Sequence, residues 1–129
     1  APGVSDPSAA RLADGSWVMA LARSQGRGGS ILVTRSNDGR KFKPIAEVEG
    51  GIPELSAEDD GSLRLFASGP NGITSSRSYD GGKTWFGEKG RRVKWRGLAA
   101  DPSSAADQGA KLLFFKTILP ACHDPNQLQ

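Results

Sequence analysis

The chain lacks the raw material for several common chemistries. It holds one cysteine, Cys122, in 129 residues, too few for an intramolecular disulfide or a cysteine-based zinc site within one copy. No cofactor and no metal are expected. Long apolar runs are missing as well: those over residues 17–22 and 112–115 fall far short of the roughly 20 residues that a membrane-crossing helix needs, so no membrane partner is expected. Nor is there a dominant charge. The 17 basic and 14 acidic residues are interspersed, and the one dense basic run, residues 89–94, reads as a solvated loop. A nucleic-acid binder gathers Lys and Arg on one surface with aromatics between them, so no nucleic-acid partner is expected. Residues 1–4 show neither the charged start nor the apolar core of a secretion signal.

What the chain does have is turns and repetition. Gly (17) and Pro (8) are frequent enough to interrupt every candidate helix, and no segment sustains a 3.6-residue apolar period. Pro7, Pro53 and Pro102 recur after 46 and then 49 residues, followed 8, 8 and 7 residues later by Gly15, Gly61 and Gly109. An apolar run comes after each glycine. A short run, an Asp-Gly type of turn and a second run read as an antiparallel hairpin. A second hairpin follows in the first two copies, through the turns at Asn37-Asp38-Gly39 and Tyr79-Asp80-Gly81-Gly82. Four short strands per copy, repeating at about 40–50 residues, are the signature of a β-propeller blade. The expectation is an all-β chain of about two and a half blades of four antiparallel strands. Blade 1 falls over about 4–49, blade 2 over about 50–96, a partial blade 3 over about 97–119 and a tail over 120–129.

One turn is unusually specific. Ser78-Tyr79-Asp80-Gly81-Gly82-Lys83-Thr84-Trp85 fits S-x-D-x-G-x-T-W at every fixed position, and Ser36-Asn37-Asp38-Gly39-Arg40-Lys41-Phe42 is a shorter, degenerate version 42 residues upstream. These segments resemble the Asp-box, the bacterial neuraminidase repeat of sialidases and related propellers; the resemblance covers about residues 4–116. Physically the box is a structural staple. An Asp in a tight turn accepts main-chain N–H bonds, Gly supplies a positive φ, and the closing aromatic packs between sheets. Ser36, Asp38, Gly39, Phe42, Ser78, Asp80, Gly82, Thr84 and Trp85 are therefore assigned to structure, and in the family such boxes lie on the face away from the active site.

The opposite mouth of the channel is where chemistry is expected. Connections before each first strand would bring Asp6, Glu54 and Asp101 there, joined by Arg23, Arg27, Trp95 and Arg96 from loops. Carboxylates serve as acid, base or hydroxyl partner, Arg grips anions and Trp stacks on sugar rings, so a glycan ligand suits the set. Asp6 and Glu54 are the candidate catalytic residues; Arg23, Arg27, Trp95, Arg96 and Asp101 are the candidate substrate-binding ones. The same residues also fit ordinary turns and solvated arginines.

The sialidase resemblance implies a glycan-recognising or glycan-hydrolysing exo-sialidase-like hydrolase, but its catalytic set is incomplete here. The only tyrosine, Tyr79, lies inside a box, and the Arg-Ile-Pro of the family is missing, with Arg11 the nearest arginine. A minor alternative is an arabinanase-type glycosidase, whose Asp-Pro base and Glu before Gly-Pro are loosely similar to Asp6-Pro7 and to Glu49-Gly50-Gly51-Ile52-Pro53. A non-catalytic propeller scaffold binding protein partners is the other alternative.

Two and a half blades leave sheet faces uncovered, so either the remainder of a propeller or a homo-oligomer is the expected partner. The family resemblance favours a secreted or periplasmic location. Cys122-His123-Asp124 reads as part of a terminal tail, since consecutive residues rarely converge, and Gly26-Arg27-Gly28-Gly29 reads as a hairpin loop without the Gly-Lys-Ser/Thr ending of a phosphate loop.

Overall fold

The computed structural model describes residues 3–25, 28–95 and 98–117, and among them every regular element is a β-strand. The first sheet is a plain antiparallel meander of β1 (Val4–Arg11), β2 (Trp17–Gln25), β3 (Gly28–Ser36) and β4 (Lys43–Glu49), hydrogen-bonded in chain order. A second meander repeats it with β5 (Gly51–Ala57), β6 (Leu63–Gly69) and β7 (Gly72–Ser78). A third unit is the hairpin of β10 (Ala99–Asp107) and β11 (Ala110–Thr117), joined to the second by the single pair Ala99↔Gly69. The architecture is that of stacked propeller blades.

Blade 2 departs from four even strands. Its outer edge is two dipeptides, β8 (Phe86–Gly87) and β9 (Val93–Lys94), which pair with opposite ends of β7. The loop between them turns Glu88 inward, where its carboxylate accepts from Arg64 Nε at 2.9 Å and from Ser75 Oγ at 2.9 Å. A charge drawn in against a half-buried guanidinium interrupts the strand that the sequence pattern implies.

Period-two alternation decides which side chains stack between sheets. Val18, Ala20, Ile31 and Val33 on one face of the first sheet are fully buried against Leu63, Leu65 and Ala67 of the second, with Leu55 and Ala10 closing the inner side. Phe66 and Ile73, on the opposite face of the second sheet, pack with Ala99 and Leu113 of the third unit. The innermost strands share one irregularity. Asp6, Ile52 and Asp101 have φ of 50°, 21° and 50°, and each directly precedes the repeat proline at a β-bulge. Asp6, Glu54 and Asp101 thus lie inside the first strands, not in the connections before them, because each bulge lets pairing continue through the X-Pro step.

Candidate functional site

Antiparallel order places the starts of β1, β3, β5 and β7 and the ends of β2, β4 and β6 at one end of the stack. That end, the mouth, carries Asp6, Arg23, Asp101 and Trp95. Asp6 is exposed, and its carboxylate accepts from Ser5 Oγ at 2.7 Å. The Arg23 guanidinium pairs with Glu47 at 3.7 Å, and Asp101 pairs with Lys116 on the neighbouring strand. Trp95 packs against the Phe66–Ile73–Ala99 cluster, which fixes its ring, and it lines an open cleft of about 310 Å3 with Asn71, Arg91 and Lys94. Arg27 and Arg96 lie outside the described residues, as does the Cys122-His123-Asp124 segment.

Glu54 stands apart from this rim. It is half-buried on the innermost strand of blade 2 and takes hydrogen bonds from both neighbouring units: Ser8 Oγ at 3.0 Å, Ser104 N–H at 3.1 Å and Ser104 Oγ at 3.0 Å. Ser8 Oγ in turn accepts from Leu55 N–H at 2.9 Å. These partners are 46 to 50 residues apart in sequence. Neither serine stands out in the sequence, yet the repeat alignment held the signal: Ser8 follows Pro7 where Glu54 follows Pro53, and Ser104 lies two residues after Pro102.

Another, larger cleft of about 650 Å3 opens between the first two blades, from Glu49 and Pro70 at the mouth to Lys83 and Trp85 at the other end. Its walls carry Glu47 and Glu88, both already paired with arginines. Among the described residues there is no group of three His, Cys, Asp or Glu side chains arranged to hold a metal ion.

The far end of the blades is built from repeated local bonds. Asp38 Oδ1 accepts from the N–H groups of Arg40 (2.9 Å) and Lys41 (3.0 Å) and from Ser36 Oγ (2.9 Å), while Gly39 N–H donates to Ser36 Oγ. Asp80 Oδ1 accepts from Lys83 N–H, Thr84 N–H and Ser78 Oγ, and its Oδ2 accepts from Thr84 Oγ1 at 2.5 Å. Gly39, Gly81 and Gly82 have φ of 73°, 74° and 94°, which an L side chain adopts only under strain. Trp85 donates from Nε1 to the Gly82 carbonyl and packs on the first core cluster; Phe42 is half-buried. Main-chain donors hold the Asp38 carboxyl at about 2, and the Thr84 hydroxyl and N–H do the same for Asp80.

A further pair of turns obeys the same rule. Asp14 and Asp60 each accept from the N–H and hydroxyl of the serine two residues on, Ser16 and Ser62, and each is met by an arginine of the third strand, Arg35 at 3.0 Å and Arg77 at 3.5 Å. Both carboxyls are lowered, chiefly by the serine hydroxyl. This end is dense with internal bonds, although Glu58 Oε1 and Arg77 Nε are buried there with no hydrogen-bond partner among the described residues, and Tyr79 projects from it into solvent. Clefts open at both ends: at the far end one of about 390 Å3 lined by Glu58, Asp59 and Lys111 and one of about 340 Å3 lined by Asp38 and Lys41, and at the mouth the one beside Trp95.

No protein-family model matches the chain, and no curated protein matches it by sequence. Solved structures do match in fold. One is the GH93 α-L-arabinofuranosidase of Fusarium graminearum in complex with arabinobiose, at TM-score 0.67 and 19% identity, covering 88% of this chain and 40% of that one. Another is a mutant α-L-arabinofuranosidase from the same fungus with an iminosugar inhibitor, at TM-score 0.66, 19% identity and the same coverage. The chain thus spans well under half the length of these neighbours, and the likeness establishes the propeller-type fold.

Proposed function

We propose that this chain forms blades of a glycan-binding propeller of the glycosidase kind, directed to arabinose-containing glycans in preference to sialosides. The observation that carries the reading is the likeness to an arabinofuranosidase holding arabinobiose over 88% of this chain. It favours the arabinanase-type alternative, and the position of Tyr79 at the bonded far end also speaks against a sialidase nucleophile. On this reading Trp95 is the sugar-stacking platform, Arg23 and Asp101 are polar partners for hydroxyls, and Asp6 and Glu54 are the candidate acid–base pair. Arg27 and Arg96 are further candidate substrate-binding residues. Further blades, from additional sequence or from other copies, complete the channel.

Titration of the chain with arabinobiose and with sialyllactose, followed by amide chemical shifts, tests the proposal. Shifts around Asn71, Trp95 and Asp101 with arabinobiose alone are expected; no response to arabinobiose at millimolar concentration sinks it. If an aryl α-L-arabinofuranoside is hydrolysed, Glu54→Gln is expected to cost about 10²–10⁴-fold in rate.

A non-catalytic scaffold is favoured by one specific observation: both oxygens of Glu54 are already engaged by Ser8 and Ser104. No hydrolysis of the arabinoside by the unmodified chain, together with a Glu54→Gln variant that loses stability, would decide for that reading.

A further inference from the structure

The seam between the first two blades is sealed along its inner part, with Val33 at 0% and Leu65 at 1% exposure, and parts farther out. The repeat shows where it parts. Matching Asp38 with Asp80 aligns β3 with β7, so that Thr34 corresponds to Ser76 and Leu32 to Thr74; matching Gly15 with Gly61 makes Leu21 the counterpart of Ala67. The two alignments agree, because Leu21 pairs across strands with Leu32 and Ala67 with Thr74. A Leu–Leu pair in blade 1 is an Ala–Thr pair in blade 2.

Packing explains only the first of these changes. The connection between the blades passes over Ala67, and a Cβ on Gly50 would lie 2.7 Å from the Ala67 Cβ, so a larger residue at 67 has no room. Thr74 is exposed, and no crowding requires it to be small. Thr34 is buried and its hydroxyl donates to the Met19 carbonyl at 3.0 Å; no such bond holds Ser76 among the described residues. Thr74 and Ser76 line the cleft of about 650 Å3 from blade 2, and Ala46 and Val48 line it from blade 1. A leucine at 74 would occupy part of that space.

The lining suits a sugar. Trp85 Nε1 already donates to the Gly82 carbonyl at 2.9 Å and the ring packs on the first core cluster, so the indole is fixed and offers the cleft carbon surface, on which the C–H face of a pyranose or furanose can lie. The hydroxyls of Thr74 and Ser76 both donate and accept, as sugar hydroxyls do. Of the charged side chains at the cleft, Glu47 is paired with Arg23 and Glu88 with Arg64, which leaves Glu49 and Lys83, one of each sign, unpaired among the described residues. No net charge draws an anion there.

We infer that this cleft is a second glycan-binding site, separate from the Trp95 rim, for a neutral oligosaccharide. The class of ligand rests on the glycan reading above, whereas the cleft and its departure from the repeat do not.

Titration with arabinotetraose, xylotetraose and cellotetraose, followed by amide and indole chemical shifts, tests the inference. At millimolar concentration at least one of them is expected to move Val48, Thr74, Ser76 and the Trp85 indole. Thr74→Leu, which places the β3 residue at the matching point of β7, is expected to abolish those shifts and to leave any response at Asn71 and Trp95 intact. No cleft shifts with all three sugars overturns the inference, as do cleft shifts that Thr74→Leu leaves undiminished. If Thr74→Leu loses its β-sheet circular dichroism, Val48→Phe fills the same space from blade 1. The two sites are read on different residues: shifts at Asn71, Trp95 and Asp101 alone reject the second site and keep the proposed function, and shifts at the cleft alone do the reverse.

Discussion

The two ends of the blades obey different rules. At the far end the same device recurs with the same atoms: an Asp accepting from a serine two residues away at 14 and 60, an Asp gripping main-chain amides at 38 and 80, and Arg35 and Arg77 tying the two turns together. At the mouth the bulged backbone and its proline recur in all three units, and the Asp before the proline in two. The bulge before each proline is common to all three units, but its residue changes from Asp6 to Ile52 to Asp101, and the neighbouring side chains change with it. Repetition of side chains marks the end that holds the fold, whereas repetition of backbone with divergent side chains marks the end free to take on a ligand.

The sharpest way to break this contrast is with glycine. Gly72, at the mouth, has φ +124° and a Cβ there would run into the Val93 carbonyl, whereas Gly61, in a far-end turn, has φ +82° and nothing within 4 Å. Gly72→Ala is expected to lose about 2–4 kcal/mol with the β7–β9 pairing, and Gly61→Ala only roughly 1–2, read by urea unfolding. Equal losses would mean the mouth backbone is more compliant than its contacts imply.

Next in size is Glu54. Truncation to Ala leaves Ser104 N–H without its partner and is expected to cost about 1–3 kcal/mol, with hydrogen exchange rising first in β10 and β11. Uniform exchange across the chain would show that the third unit does not depend on this clamp.

The bulge offers a gain. Ile52 is a β-branched residue at positive φ where the two sister positions use Asp. Ile52→Asp is expected to raise stability by up to about 1 kcal/mol, seen as a higher melting temperature; a fall would show that the apolar contact of Ile52 outweighs its backbone strain.

The smallest effect concerns acid. Asp38 and Asp80 are held at about 2 in the folded chain, below the ordinary aspartate value, so their contribution is full above about pH 4 and fades as pH falls toward 2. Asp80→Asn should flatten the melting temperature against pH between those limits; an unchanged slope would assign acid sensitivity to other carboxylates.

Much of the far end was legible because its bonds are local. Asp80 and the groups it binds lie within four residues, so Ser78, Thr84 and the glycines announce the turn directly. The split outer edge of blade 2 was not legible: Phe86 and Val93 resemble parts of one strand until Glu88 is seen to be claimed by Arg64, 24 residues away. Likewise Glu54 reads as a free mouth carboxylate in the sequence, and only stacking shows that Ser8 and Ser104 hold it.

By itself the sequence determined the strand-turn rhythm, the repeat and the corners, since each depends on φ preferences and hydrogen bonds between near neighbours. Tertiary structure alone decided which face of each sheet is sealed, which carboxylate is shared between units, and which aromatics face water. Those outcomes depend on the separation of sheets brought together by residues nearly fifty positions apart, a distance over which no local preference carries information.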